Sequence, residues 1–212
     1  SSAAVTVATL CAINDEFKLN KTREEIADMA FGIEKTVQKG RASPTDTTVS
    51  SFGGIVLITG GSRRRLPPQN MHLVIGDSLV SHSTSRMVEQ VAEFKKKHPE
   101  IVDPVLNAIE GVTLSGIHHL SNPRELGRYM NMNHALLETL GVGHNQLAKM
   151  VLAARSAGAF GAKITGAGGG GSMVALCPKS LKHRVARAIE ACDARAIVTG
   201  IDTEGARREK NV

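Results

Sequence analysis

The sequence is poor in aromatic residues and contains no tryptophan. Among its 212 residues there are one tyrosine and five phenylalanines, although apolar residues make up 42% of the chain. We therefore expect a packed core that is built mainly from aliphatic side chains. With 22% charged residues, the composition excludes a largely disordered chain.

Long apolar runs, a secretory leader and a cysteine framework are also missing. No stretch approaches the roughly 20 apolar residues needed to cross a bilayer, and the first residues lack the basic segment and cleavage site of a signal peptide. Cys11, Cys177 and Cys192 are odd in number and have no metal-ligand spacing, so we expect reduced, buried thiols. These absences predict a cytoplasmic protein without a membrane partner.

Acidic residues are outnumbered by basic ones, which gives a net charge of +6. This excess allows an anionic partner without specifying one. The basic clusters at residues 63–65, 95–97 and 207–208 are not interleaved with aromatic residues, as a surface for single-stranded nucleic acid would be. We interpret them as solvated faces and loop tips, and expect no nucleic-acid partner.

The first part of the chain predicts two helices, a loop and a strand. Helices are expected over residues 1–14 and 22–40; the second opens with a capping box of Thr22 and Glu25. Its apolar residues recur at helical spacing: Ile26, Met29, Ala30, Ile33 and Val37. A polar, turn-rich loop (41–51), a strand (53–61) and a connector with a domain boundary (62–70) follow.

The second part alternates strands and helices. Strands are expected at 72–78, 162–165, 173–177 and 195–200, and helices at 84–97, 100–119, 123–140, 145–158 and 181–192. Strands separated by helices, with one tight strand–loop–strand pair, indicate an α+β layer packing.

Three short segments could carry chemistry, and the first is the start of the chain. A helix N-terminus presents unpaired amides and the positive end of a dipole, which together attract phosphate. The hydroxyls of Ser1 and Ser2 could add a magnesium ligand. The alternative is a simple serine cap on a buried helix.

The second segment contains Asp46 in the sequence "SPTDTT". A carboxylate in a loop of small polar residues can accept a proton or hold a metal, and Ser43 and Thr45 can position a partner. The alternative is a plain turn, because all of these residue types form turns. Glu34 precedes this loop beside the apolar stripe of the second helix, and faces either solvent or a site.

The third segment, "TGAGGGGS", spans residues 165–172. Bare glycines let backbone amides approach a bulky anion, or let another loop pack closely. The Lys-Ser or Lys-Thr of a P-loop does not follow the last glycine. Four glycines in a row exceed the needs of a hairpin turn, so we favour a functional loop over a structural one.

The segments "SSAAVTVA", "ASPTDTTVSSFGG" and "GAFGAKITGAGGGGSMVAL" resemble, in order and style, the GHMP kinase superfamily, and most closely its archaeal branch that phosphorylates mevalonate. The family's phosphate loop reads Pro-x-x-x-Gly-Leu-Gly-Ser-Ser-Ala-Ala, so the sequence begins inside that motif. By this resemblance a Gly-Leu-Gly and an earlier catalytic lysine are not part of the sequence, and the chain alone is expected to be inactive.

The resemblance implies a role for each matching residue. Asp46 matches the aspartate that takes the proton from the substrate hydroxyl, Ser2 and Glu34 match the magnesium ligands, and Ser43 and Thr84 match positions near the substrate. The ATP-binding loop matches Ser1, Ser2, Ala3 and Ala4. A second loop that closes around the phosphates matches Thr165, Gly166, Ala167, Gly168, Gly169, Gly170 and Gly171.

The fold implied is α+β with two domains. Residues 1–65 would be the remnant of a ribosomal-protein-S5-like α/β domain, and residues 66–212 a ferredoxin-like α+β domain, with the catalytic cleft between them. The implied function is phosphorylation of the 5-hydroxyl of mevalonate in isoprenoid biosynthesis, with ATP and Mg²⁺ as cofactors; the oligomeric state, including a homodimer, stays open. The alternatives are another GHMP kinase, acting on phosphomevalonate or on the mevalonate 3-hydroxyl, or a ligand sensor of this fold without catalysis. A nucleic-acid binder ranks behind both.

Overall fold

A computed structural model describes residues 2–38, 40, 42–60, 62–81 and 83–209. Contacts divide the chain into two compact units. One unit takes the chain up to Pro68 and again from Ile201 onward, and the other is Gln69–Gly200. Each unit has a hydrophobic core of its own.

The described part of the first unit consists of helices and one β-hairpin. The elements are α1 (Ser2–Glu16), α2 (Arg23–Val37), α3 (Thr45–Phe52), β1 (Ile55–Thr59) and β2 (Ser62–Leu66). Val7 of α1 is buried together with Ile26 and Ala30 of α2. The predicted capping box is confirmed, since Thr22 Oγ1 accepts from the Glu25 amide (3.2 Å) and Glu25 Oε2 accepts from the Thr22 amide (2.9 Å).

Two predictions for this unit are wrong. The first residues of the predicted connector form β2, which pairs antiparallel with β1, and Arg63 makes an ion pair with Asp28 of α2 (2.7 Å) instead of lying at a loop tip. The polar stretch 41–51 is helical from Thr45 onward. The strand β2 is stabilised by pairing with the adjacent strand β1, and the helix α3 by packing against α1 and α2. Local composition reveals neither contact.

The last described residues, 201–209, lie in the first unit, whereas the predicted division placed them in the second domain. The Ala206 amide donates to the Ser50 carbonyl of α3 (2.9 Å). Gly53 and Gly205 approach so closely that a Cβ on either would collide with the backbone of the other. This contact requires glycine on both sides, and it fixes the C-terminal segment against the end of α3.

The second unit is built on one antiparallel sheet. Its elements are β3 (His72–Asp77), α4 (Thr84–Lys97), α5 (Pro99–His118), α6 (Pro123–Thr139), α7 (Asn145–Ser156), β4 (Gly161–Ile164), β5 (Ser172–Cys177), α8 (Lys182–Glu190) and β6 (Arg195–Thr199). The strand order is β4-β5-β3-β6, so the first strand of the unit lies between the third and the fourth. This is the ferredoxin-like order, with the helices α4 to α7 as the first crossover, and the predicted ferredoxin-like α+β fold is confirmed.

The core of the second unit lies between the sheet and the helices α7 and α8. Leu147, Met150 and Ile189 are fully buried there against Val74 and Met173 of the sheet. The bounds of these elements differ from the predicted ones by no more than two residues.

The cysteines are less uniform than expected. All three are free thiols, but only Cys177 is buried, while Cys11 and Cys192 are half-buried. The prediction of a buried thiol is therefore wrong for the last two. Cys11 lies on the outer side of the small core of the first unit, and Cys192 just after α8, where each packs against a core without being enclosed by it.

Candidate functional site

The first turn of α1 contains the residues that were predicted to hold phosphate. Ser1 and the side chain of Ser2 lie outside the described part of the structure. Ala3 is buried and Ala4 is exposed. The first amides of a helix have no intrahelical partner, and neither of these two methyl side chains is large enough to screen them.

Asp46 lies in the first turn of α3 and is exposed. The Ser43 hydroxyl accepts a hydrogen bond from the Thr45 amide (3.3 Å) and lies 2.8 Å from the Thr45 hydroxyl. Both hydroxyls lie at the N-terminal end of the helix that carries Asp46. The carboxylate is therefore on a helix, not in the loop that was predicted.

Glu34 is half-buried near the end of α2. Its Oε2 accepts a hydrogen bond from Gln38 Nε2 (2.7 Å), which holds the carboxylate in place. The apolar stripe next to it is only partly enclosed. Ile26 and Ala30 are buried, but the other three residues of the stripe are exposed: Met29, Ile33 and Val37. The helices that carry Ala3, Glu34 and Asp46 all pack against one another.

The glycine segment between β4 and β5 has a backbone that only glycine accepts readily. The φ angles are positive at Gly166 (76°), Gly168 (76°), Gly169 (71°), Gly170 (143°) and Gly171 (74°). A Cβ at Gly168 would collide with the carbonyl of Val142, and a Cβ at Gly169 would collide with the Sδ of Met87. Two of the glycines are therefore required by close contacts within the second unit, one with the α6–α7 turn and one with α4.

Three amides of this segment anchor it. Thr165 N donates to Ser172 O (3.0 Å), Gly169 N to Val142 O (2.9 Å) and Gly171 N to Val80 O (3.1 Å). In contrast, the amides of four residues make no hydrogen bond within the described part of the chain: Gly166, Ala167, Gly168 and Gly170. Around Gly166 the space is open, with no atom within 4 Å of where a Cβ would be. A fixed loop with unpaired amides is suited to binding an anion.

Thr84 is the first residue of α4 and is exposed. Ser83 caps this helix, since its hydroxyl accepts from the Arg86 amide (3.4 Å). One turn further on, Met87 packs against Gly169. The structure therefore brings the start of α4 next to the glycine segment, so Thr84 and residues 165–171 form one set in the second unit, while the residues from α1, α2 and α3 form the other set in the first unit.

Two family models match the chain, the N terminal domain of GHMP kinases over residues 1–54 and the C terminal domain of GHMP kinases over residues 113–194. Together they cover more than half of it. The chain belongs to the GHMP kinase family.

Relatives within the GHMP kinases agree with this assignment. A mevalonate kinase of Thermococcus sibiricus is 42% identical over 99% of this chain and 64% of its own length. Two solved structures have the same fold: L. major mevalonate kinase in complex with R-mevalonate (TM-score 0.83, 27% identity, 97% of this chain and 66% of that one) and Methanococcus jannaschii mevalonate kinase (TM-score 0.77, 27% identity, 95% and 63%). The chain thus spans 64% of the length of that Thermococcus relative.

The described part of the chain contains no group of three or more His, Cys, Asp or Glu side chains that could hold a metal ion. Magnesium in phosphate-transferring enzymes needs fewer protein ligands, because substrate phosphates and water supply the rest. The carboxylate of Glu34 is an oxygen donor of the kind that magnesium prefers. Nor is any helix of the described residues long and apolar enough to cross a membrane.

One group of polar residues was not found from the sequence. Asn131, His134, Arg155 and Lys163 place hydrogen-bonding atoms along the free edge of β4; we call these four residues the edge cap. A signal was present, since Gly127, Asn131, His134 and Glu138 recur at helical spacing on one face of α6. Sequence periodicity alone does not distinguish such a polar face from a solvated one.

Proposed function

We propose that this chain is part of an enzyme that transfers the terminal phosphate of ATP to the 5-hydroxyl of mevalonate. The observation that carries the proposal is the 42% identity, over 99% of the chain, to a relative named as mevalonate kinase. The family supplies the donor, because a kinase takes its phosphate from ATP. The geometry of both sets of residues agrees with phosphate transfer, which depends mainly on positioning and on neutralising charge.

In this proposal, backbone amides bind the phosphates. The start of α1 with Ser1, Ser2, Ala3 and Ala4 offers helix N-terminal amides, and the glycine segment 165–171 offers the amides that its own anchoring leaves unpaired. Amide hydrogens aimed at an anion stabilise it without bringing a counter-charge. Side chains at the glycines would occupy the space that the phosphate oxygens need.

The proposed magnesium ligands are the Ser2 hydroxyl and the Glu34 carboxylate. A magnesium ion bound there would neutralise the charge of the phosphates while the terminal phosphate is transferred. Gln38 keeps Glu34 oriented by donating to Oε2 (2.7 Å), and within the described residues Oε1 has no hydrogen bond that would keep it from an ion. The half-buried position limits the number of orientations that this carboxylate samples.

Asp46 is the proposed base. Its carboxylate is exposed at the start of a helix, so it can accept the proton of a bound hydroxyl while the oxygen attacks the phosphorus. General-base assistance of this kind contributes about 10²–10⁴ in rate. Ser43 and Thr84 are the proposed substrate contacts. A cytoplasmic location remains a prediction, and the oligomeric state, including a homodimer, stays open.

An assay of ADP release across a panel of small alcohols and sugars tests the proposed function. The protein should be purified as its gene encodes it and supplied with ATP and magnesium. We expect release with mevalonate, with 5-phosphomevalonate as the product. Release only with phosphomevalonate or another alcohol would show that the enzyme is a small-molecule kinase with a substrate other than mevalonate. A 3-phosphate product would identify a mevalonate 3-kinase. Ligand binding without ADP release from any compound would favour a sensor and contradict the proposal.

A further inference from the structure

The edge cap replaces a neighbouring strand along β4. β4 lies at the edge of the sheet, where backbone groups normally remain unpaired or are covered by other means. The Ala162 amide donates to Asn131 Oδ1 (3.0 Å), and the Ala162 carbonyl accepts from Arg155 (2.7 Å). At Ile164 the amide donates to His134 Nδ1 (3.5 Å) and the carbonyl accepts from Lys163 Nζ (2.8 Å).

The helix α6 lies alongside β4 in matching register. A Cβ on Gly161 would collide with the backbone of Gly127, so helix and strand touch at the start of β4. Seven helical residues lead from Gly127 to His134, a rise of about 10 Å. Three strand residues lead from Gly161 to Ile164, also a rise of about 10 Å. The equal advance keeps side chains of α6 opposite the strand along its whole length.

The turn that follows α6 contacts the glycine segment. Beyond the end of α6, the carbonyl of Val142 accepts from the Gly169 amide (2.9 Å). Ile164, which His134 contacts, is the last residue of β4 before the segment begins. The glycine segment is therefore held at two places, at its entry by a side chain of α6 and at its middle by the backbone of the turn that follows α6.

His134 is the most enclosed member of the edge cap, with its side chain 5% exposed. Nε2 lies 3.5 Å from Glu138 Oε1 of the same helix. Arg155 of α7 and Lys163 of β4 are the cations that face it. Since Nδ1 accepts from the Ile164 amide, the neutral ring carries its hydrogen on Nε2, toward Glu138.

We propose that His134 is a positioning residue for the glycine segment, holding the end of β4 through the amide of Ile164 only while its ring is neutral. A proton on Nδ1 would turn the acceptor into a donor and break this contact. The consequence for nucleotide binding rests on the proposed function, but the effect on the position of the segment does not.

The surroundings favour the neutral ring. Burial lowers the pKa of His134 below its ordinary 6.5; Glu138 opposes this shift, and Arg155 and Lys163 add to it. For a base with a lowered pKa in the folded state, the unfolded chain takes up protons first. The contribution of His134 is therefore complete above pH 6.5 and is lost as the pH falls through the lower folded value.

Amide hydrogen exchange of the ¹⁵N-labelled chain between pH 7.5 and 4.5 tests the proposal, with rates expressed as protection factors. His134→Asn keeps an acceptor near the position of Nδ1 but does not titrate, while His134→Leu removes the acceptor. His183→Asn, an exposed histidine of α8, is the matched control. In the wild type and in the control, protection at Ile164 and Gly169 should fall about tenfold toward pH 4.5, while protection at Val74 in the core is unchanged.

His134→Asn should keep its protection across the pH range, and His134→Leu should have the low value already at pH 7.5. Protection that is independent of pH in the wild type, or an equal loss in His134→Asn, would overturn the proposal. If His134→Leu does not fold, the comparison of the wild type with His134→Asn decides alone. In the enzyme as its gene encodes it, His134→Leu should raise the KM for ATP more than it lowers kcat. If the exchange results hold and ATP does not bind at all, the proposed function fails and the positioning role stands.

Discussion

The two units differ in how their residues are buried. Among the described residues, the second unit has fifteen buried apolar residues in one cluster, from β3 to α8, whereas the first unit has only Val7, Ile26 and Ala30 in its cluster. The first unit also exposes large apolar side chains on α1 and α2 and just after α1: Val5, Phe17, Leu19, Met29, Ile33 and Val37. The second unit is held by its core, and the first depends more on caps, ion pairs and the C-terminal segment.

A large-to-small change should show this difference most strongly. Leu147→Ala empties a fully buried position in the second unit and should lower the free energy of unfolding by about 2–5 kcal/mol. The matched change Ile33→Ala removes an apolar side chain that is 44% exposed in the first unit and should cost within about 0.5 kcal/mol. Urea unfolding followed by circular dichroism measures both, and equal losses would contradict the comparison.

The glycine segment offers a second test inside the well-packed unit. Gly168→Ala adds a methyl group against the carbonyl of Val142 at a positive φ. The left-handed backbone costs about 1–2 kcal/mol, and overpacking adds about 1–3 kcal/mol.

Gly166→Ala is the control, because it has the same sign of φ but open space and should show the backbone cost alone. The difference between the two variants in thermal unfolding isolates the contact with the α6–α7 turn. If Gly166→Ala is as damaging as Gly168→Ala, that contact does not explain the shape of the loop.

In the first unit, removal of a helix cap should matter although no core residue is touched. Thr22→Ala deletes the hydroxyl that accepts from the Glu25 amide (3.2 Å) and should cost about 1 kcal/mol. Thr22→Ser keeps the acceptor and should stay close to the wild type. Hydrogen exchange at α2 measures the effect, and an unchanged α2 in Thr22→Ala would show that the helix does not depend on its cap.

The smallest expected effect is a change in how the stability of the first unit depends on acidic pH. Arg207, which donates to Oδ2 (2.8 Å), and the amides of Gly205 and Glu204 lower the pKa of Asp202 from 3.8 to about 2. The contribution of this carboxylate is therefore present above pH 3.8 and is lost as the pH falls toward 2. Asp202→Asn should lower the melting temperature of the first unit slightly at pH 7 and flatten its acid dependence between pH 4 and 2. The exposed Asp193→Asn should leave that dependence unchanged.

Much of the second unit could be predicted from the sequence, because its strands and helices are long, periodic and bounded by glycine, proline or asparagine. The failures have a common cause. The run of arginines 63–65 has the composition of a loop, but pairing with β1 makes it a strand. Residues 201–209 follow the last strand, but they bond to the first unit: the Ala206 amide donates to the Ser50 carbonyl of α3, and the Asp202 carbonyl accepts from the Gly54 amide. Strand pairing and contacts with remote segments both arise only in the folded chain, and local composition does not report them.

The candidate site was predictable where a motif carried it. The glycine segment and Asp46 could be located by the resemblance to the GHMP kinases, although the helical setting of Asp46 was missed. The edge cap was missed altogether. A buried histidine on a helix gives the same sequence pattern as a solvated one, and only the position of β4 reveals what His134 contacts.

The role of Asp46 tests the central claim most directly, in an ADP-release assay of the protein as its gene encodes it. Asp46→Asn keeps the size of the side chain but cannot act as a base, and Asp15→Asn, an exposed acid of α1, is the matched control. We expect Asp46→Asn to lose about 10²–10⁴ in turnover with mevalonate while it binds ATP as the wild type does, and Asp15→Asn to keep its activity. Undiminished turnover in Asp46→Asn would contradict the account.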